Sequence, residues 1–210
     1  ADDYWHPEKI SNEVEILRED NGINIVMSDF FKVKLYGDDG LSSYHEVDVS
    51  LGDNISCRRL KSEFPISMSS FTMSRDIIWK DRPFKESLKY REDILFQVEA
   101  LLRGNAKAIS QPLCICRVTE DPRNRKPLNE IWEYGEVPIH NYISNEYEQL
   151  DKCIKNRRLN KSITYGILAI KNNGRMTARE ISRQSLKYCS KSPESSFYIK
   201  NRNKILLIFS

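Results

Sequence analysis

Apolar positions repeat along this chain with two periods, and the changes of period mark out its elements. Pro7 suits a first helical position, Ile10, Val14, Ile16 and Leu17 follow at helical spacing, and Asn21-Gly22 supplies a stop, which predicts a helix over residues 7–18. Ile23, Ile25, Val26 and Met27 form a β-rich run, and residues 28–33 are either its continuation or a second short strand. A turn is expected at 37–40. Residues 41–63 are mixed and polar, with one weak strand at 45–49, and read as an excursion from the core. Residues 64–73 alternate, a short helical piece is expected at 75–79, and 83–88 is a connector. Ile94, Leu95, Val98, Leu101 and Leu102 then recur at helical spacing up to Arg103-Gly104. Residues 106–118 alternate again; Pro112, which has no N–H for the ladder, places that strand at an edge or a bulge. After a charged loop at 119–126, the period is helical from Asn141 onward. Tyr142, Ile143, Tyr147 and Leu150 open one helix, 163–170 is half-buried, and Thr177-Ala178-Arg179-Glu180 spells a capping box ahead of another that reaches Tyr188.

Charge adds a boundary. Of 210 residues 40% are hydrophobic and 30% charged, enough for a real core in one large domain or in a domain with an appendage. The net charge of +3 conceals that residues 151–210 carry 14 Lys and Arg against three acids, while the first 150 carry 19 against 27. An acidic body with a basic tail points to two modules. The tail suits polyanions: lipid headgroups, phosphorylated carriers or nucleic acid. No run approaches the roughly 18 apolar residues that span a bilayer, and the first residues have neither the basic nor the apolar part of a signal peptide. Five cysteines, odd in number and without a Cys-x-x-Cys pair, indicate neither a disulfide framework nor a zinc site, and a reducing cytoplasm fits them. Cys114 and Cys116 share one strand face, where small buried side chains are the ordinary reading.

The local sequence offers one conspicuous pair of acids, Glu92 and Asp93, in the first turn of the helix that follows. Free backbone N–H groups and the positive end of the helix dipole stabilise anions there, a sufficient structural reason for acids. The same placement fixes an ionised carboxylate at the rim of a pocket. Local sequence leaves both readings open.

Four stretches, in order, resemble family 2 glycosyltransferases of the GT-A fold, which build bacterial surface polysaccharides. Asp2-Asp3-Tyr4-Trp5-His6-Pro7-Glu8-Lys9-Ile10 is similar to the segment completing that family's Asp-x-Asp motif and opening the next helix. Val26-Met27-Ser28-Asp29-Phe30 resembles the following core strand. Ile66-Ser67-Met68-Ser69-Ser70-Phe71-Thr72-Met73-Ser74-Arg75 resembles the acceptor-side strand and turn, and Leu88-Lys89-Tyr90-Arg91-Glu92-Asp93-Ile94-Leu95-Phe96 the Glu-Asp motif on its helix. The resemblance covers residues 1 to about 120. It implies an α/β fold: a partial GT-A, Rossmann-like mixed sheet with flanking helices over residues 1–126, followed by a basic α-helical extension over 127–210. The chain begins inside the Asp-x-Asp motif, so the nucleotide-binding half is expected to be missing.

The resemblance also implies roles. Asp93 would be the general base of an inverting transfer and Glu92 its orienting neighbour. Asp2 and Asp3 would hold Mg²⁺ or Mn²⁺ with the phosphates of the nucleotide-sugar donor, against the plain alternative that they favour the positive end of the helix after Pro7. Trp5 and His6 would line the acceptor site, or be a packed aromatic and a helix cap. Ser69, Ser70 and Arg75 would face the acceptor, although stabilising the turn is reason enough for them. By position alone, just after the late strand, Arg117, Arg123 and Arg125 could reach a pyrophosphate, although surface arginines usually do nothing so specific. The expected activity is transfer of a sugar to a saccharide or lipid-linked acceptor, on the cytoplasmic side of the cell membrane. By their charge Lys200, Arg202 and Lys204 would meet anionic lipid, while the apolar run 205–209 beside them is more simply the side of a helix that packs against the core; nucleic acid is not the expected partner. A different class remains open: a truncated, non-catalytic remnant that binds a polyanion or a partner.

Overall fold

The computed structural model describes residues 3–34, 42–47, 54–77, 84–118, 127–171, 180, 181 and 183. The chain divides into two compact units, Ala1–Glu86 with Glu92–Arg125, and Ser87–Arg91 with Lys126–Ser210.

The first unit is built on one strand. Ile25, Val26 and Met27 are fully buried and open β2 (Ile25–Lys34), a single strand that takes in both short runs of the sequence. Along one edge it pairs in parallel with β5 (Ala106–Val118), from Ile25 opposite Ala106 to Lys34 opposite Val118. Along the other edge it pairs antiparallel with β4 (Phe71–Met73) and then with β3 (Ser42–His45). The short β1 (Tyr4–Trp5) lies antiparallel on the outer edge of β5. The result is a mixed five-stranded sheet flanked by helices, an α/β fold as expected.

Parallel neighbours need a long crossover. The chain returns from β2 through α2 (Ile55–Lys61) and α3 (Glu92–Arg103), which pack on each other. Ile94, Leu95, Val98 and Leu101 of α3 are buried, as their spacing requires. Gly104 ends α3 where a Cβ would come within 3.1 Å of both Asn24 Cβ and Ile77 Cδ1, so a larger residue at the tight entry into β5 would have to push these side chains aside. Ile25, Met27, Phe30, Phe64, Ala100, Leu101, Cys114 and Cys116 form the core of this unit.

Three expectations are corrected. The described residues within 41–63 are not an excursion: β3 joins the sheet, and α2 buries Cys57 and Leu60, with Asn54 in the left-handed region (φ 75) accepting the Cys57 N–H at 3.0 Å. β5 is an interior strand, and Pro112 sits at a register shift opposite Asp29, so the bulge was the right half of that reading and the edge the wrong half. In α1 (Lys9–Glu19) the apolar stripe is only half-buried, with Ile10 46% exposed; the fully buried residues are Lys9 and Glu13.

The second unit is helical. α4 (Leu128–Ile131) runs into a π-helical turn (Trp132–Glu136), then α5 (Val137–Glu146) and the long α6 (Asp151–Lys171). Trp132, Tyr165 and Ile181 make its core, backed by Leu128, Ile131 and Val137. Helix thus starts thirteen residues before Asn141, across Gly135 and Pro138, which weaken the local helical signal. Among the described residues no helix is long and apolar enough to cross a membrane. Asp2, Trp79, Arg123, Arg125, the capping box at 177–179, and the tail with Lys200, Arg202, Lys204 and 205–209 lie outside the described residues.

Candidate functional site

Asp3 is exposed just ahead of β1, and its carboxylate is held by two groups from different elements. Oδ1 accepts the backbone N–H of Arg117 on β5 at 3.1 Å, and Oδ2 accepts the hydroxyl of Ser69. Ser69 lies in a 3-10 turn, Met68–Ser70, made rigid by its own serines. Ser67 accepts the Ser69 N–H at 3.2 Å, the Ser67 N–H donates to the Ser70 hydroxyl at 3.2 Å, and that hydroxyl donates to the Ser67 carbonyl at 3.0 Å. The buried Ser70 hydroxyl is thus spent on the turn, as the plain reading of these serines has it. The Cys116 thiol donates to Ser67 Oγ at 2.9 Å from below. Cys116 also shares a hydrogen bond with Cys114, which together with burial pushes the Cys114 thiol up.

The same turn reaches α3. Gln97 donates to Met68 Sδ at 3.2 Å, and its carbonyl oxygen accepts from Arg59 Nε at 2.8 Å, so a buried amide is fixed between α2 and the turn. Asp93 stands four residues earlier on the same face of α3, one helical pitch of about 5.4 Å toward its N-terminus. Phe96, the residue before Gln97, packs edge-on to Phe71 and stacks on Phe84. Residues 68 and 69 therefore tie Asp3 to the part of α3 that carries Asp93. Glu92 is exposed and Asp93 half-buried, and among the described residues neither carboxylate has a hydrogen-bond or ion-pair partner. Arg75 is exposed, on the short turn after β4.

Beside Asp3, Trp5 is 57% exposed, with Lys9 Nζ 5.0 Å from its ring centroid. Lys9 is itself fully buried; it donates to Glu13 and, at 3.1 Å, to Thr72, whose hydroxyl donates to Glu13 at 2.6 Å. The tryptophan thus sits on a buried ion pair that the sequence reading missed. The four-residue spacing of Lys9 and Glu13 allows such a pair on one helix face but does not say that the face is buried. His6 is exposed; its Nδ1 accepts the Glu8 N–H at 3.3 Å just ahead of α1, whose N-cap position, Glu8, has no side-chain cap bond. On the neighbouring strand position the Arg117 guanidinium lies over Tyr4 at 4.6 Å. A second polar cluster was also missed: the buried Asp29 accepts the Val47 N–H at 2.7 Å and the hydroxyl of Tyr44, whose phenol that bond and burial push up to about 12.

A hard divalent cation bound through one or two carboxylates and completed by water and phosphate fits an exposed aspartate such as Asp3. Among the described residues no group of three or more His, Cys, Asp or Glu forms an all-protein metal cage. No protein-family model matches the sequence, and no curated protein is similar to it.

Proposed function

We propose that this chain carries the acceptor side of a glycosyltransferase that moves a sugar, with inversion, from a nucleotide-sugar donor to a saccharide or lipid-linked acceptor. What supports the reading is the turn Met68–Ser70, which bonds Asp3 through Ser69 and contacts Gln97, one helical turn from Asp93, through Met68. A metal-side carboxylate and a base thereby belong to one braced neighbourhood of the sheet unit.

The chemistry is a single displacement. Asp93, unpartnered among the described residues at a helix N-terminus, takes the proton of the acceptor hydroxyl. The acceptor oxygen bonds to the anomeric carbon as the bond from that carbon to the diphosphate oxygen breaks, and the electron pair leaves with the nucleoside diphosphate. Mg²⁺ or Mn²⁺, when bound, offsets the charge on that leaving group. Asp3 would hold the ion, its orientation set by Ser69 and the Arg117 N–H. Trp5 would offer its exposed indole to a sugar ring. Glu92, exposed beside Asp93, would accept from acceptor hydroxyls.

The test is transfer of labelled sugar from UDP- and GDP-linked donors by the full-length protein, wild type against Asp93→Asn. Loss of the base should lower kcat by about 10²–10⁴-fold and leave the donor KM in place. Full activity in Asp93→Asn would remove Asp93 from this role.

A further inference from the structure

Gln97 is fully buried on α3, and its side-chain amide fits only one way round. Arg59 of α2 has donors and no acceptor, so the Gln97 oxygen has to face it, and accepts its Nε–H at 2.8 Å. The NH₂ end is thereby turned toward the Met68–Ser70 turn, where the Met68 sulfur accepts from it at 3.2 Å. A thioether is a weak acceptor, yet a buried N–H without any acceptor is costly, so this contact gives the turn a preferred seat against α3. Met68 is 37% exposed, so burial of its own side chain fixes the turn only in part.

From that seat the contacts run outward to the surface. Ser69, the residue after Met68, donates its hydroxyl to Asp3 Oδ2, and Asp3 Oδ1 accepts the Arg117 N–H at 3.1 Å. The serines close the turn on itself, so it moves as one piece. It has two supports: Cys116 of β5 holds Ser67, ahead of the turn, and Gln97 of α3 holds Met68, within it. Every residue on this path, from Arg59 to Asp3, belongs to the sheet unit.

We propose that Gln97 is a positioning residue for the candidate site: with its amide oriented by Arg59, it seats Met68 and, through the turn, sets the direction in which Ser69 presents its hydroxyl to Asp3. The consequence for sugar transfer rests on the reading of Asp3 as the metal-side carboxylate; the placement of the carboxylate does not. Asp3 is exposed, ahead of a strand of two residues, and has no packing of its own to orient it. Its direction is set instead from the buried side, by groups that water does not reach. A carboxylate that meets a cation needs supporting contacts of this kind to hold it in place.

Met68→Leu keeps the volume and removes the acceptor, whereas Gln97→Glu keeps the partner of Arg59 and removes the donor. In either variant of the full-length protein, amide hydrogen exchange at Ser69, Ser70 and Arg117 should rise about tenfold, while exchange at 94–101 of α3 stays at the wild-type rate. The double variant should match the single ones rather than multiply their effects. The Arg117 amide is the telling one, since it lies on β5 and reports whether Asp3 still holds it. With UDP or GDP present, Mn²⁺ affinity should fall about tenfold in the same variants. Met68→Leu, at an exposed position, decides the matter alone if the buried carboxylate of Gln97→Glu prevents folding. An Arg117 amide that exchanges at the wild-type rate, a rise of equal size through α3, or effects that multiply in the double variant overturns the proposal, as does a Mn²⁺ affinity equal to that of a wild type that binds the ion. If the wild type binds no Mn²⁺ with either nucleotide, the metal reading of Asp3 fails on its own account, and exchange at Arg117 still decides the positioning.

Discussion

Lys9 and Glu13 show what burial of a charged pair means at the scale of single residues. Both are fully buried, and their partners are each other and Thr72. The pair as a whole stabilises little, because desolvation opposes its attraction, but either half alone is a buried uncompensated charge. Lys9→Met should therefore cost about 3–5 kcal/mol in urea unfolding, and the double variant Lys9→Met, Glu13→Leu much less. Equal losses in the single and double variants would show that the pair is not coupled. The outer face of this arrangement is Trp5, so the same substitution should alter the fluorescence of that indole. None of this was legible locally. A helical stripe predicts which face is buried by counting apolar side chains, and in α1 the most deeply buried positions are charged.

Among the elements, those carried by a clean apolar period were legible: β2, α3 from Glu92 to its stop at Gly104, and β5 with its irregularity at Pro112. Those that depend on partners far away in sequence were not. α2 is written in Ser, Cys and Arg, and shows its buried face only once Arg59 meets Gln97 of α3. In the candidate site the same distinction holds. Asp3, Ser69 and Asp93 could be named from a resemblance, but Met68 and Gln97, which tie them together, carry no local pattern. α5 offers a measurable consequence of its setting. His140 is fully buried on it, with Glu136 Oε2 3.6 Å from Nε2 and the Trp132 ring edge-on. Burial first, then the charges of Arg157 and Arg158, hold its imidazole well below the usual range, that is, neutral in the folded state. The unfolded chain binds that proton at about pH 6.5, so the stability this residue contributes is present above that pH and is lost as the pH falls below it. The urea midpoint should drop between pH 7.5 and 5.5, and His140→Leu should flatten that dependence; an equally steep curve in the variant would assign the effect to another group.

For the molecule as a whole, the clearest large-scale property is the separation of charge. Fourteen basic residues lie beyond residue 150, against three acids, behind a body with the opposite balance. If that tail meets anionic lipid, the chain should co-sediment with vesicles containing phosphatidylserine, and the bound fraction should fall steeply as salt is raised from 0.05 to 0.5 M, roughly a threefold shortening of the screening length. Binding indifferent to both lipid charge and salt would argue against the membrane as partner. The π-helical turn Trp132–Glu136 carries a further consequence, one of length rather than composition. Such a turn holds one more residue than the α-helical turns on either side of it. The wider turn rotates the chain about as far with its extra residue as an α-helical turn does without it, so deleting one residue from 132–134 would restore an ordinary helix with the faces of α4 and α5 nearly in register. Glu130, which takes Lys89 and Tyr90, and Glu136, which takes Arg91, would then still face the same stretch of chain. The same gap in an α-helical turn of α5 would instead rotate everything on one side of it by about 100°.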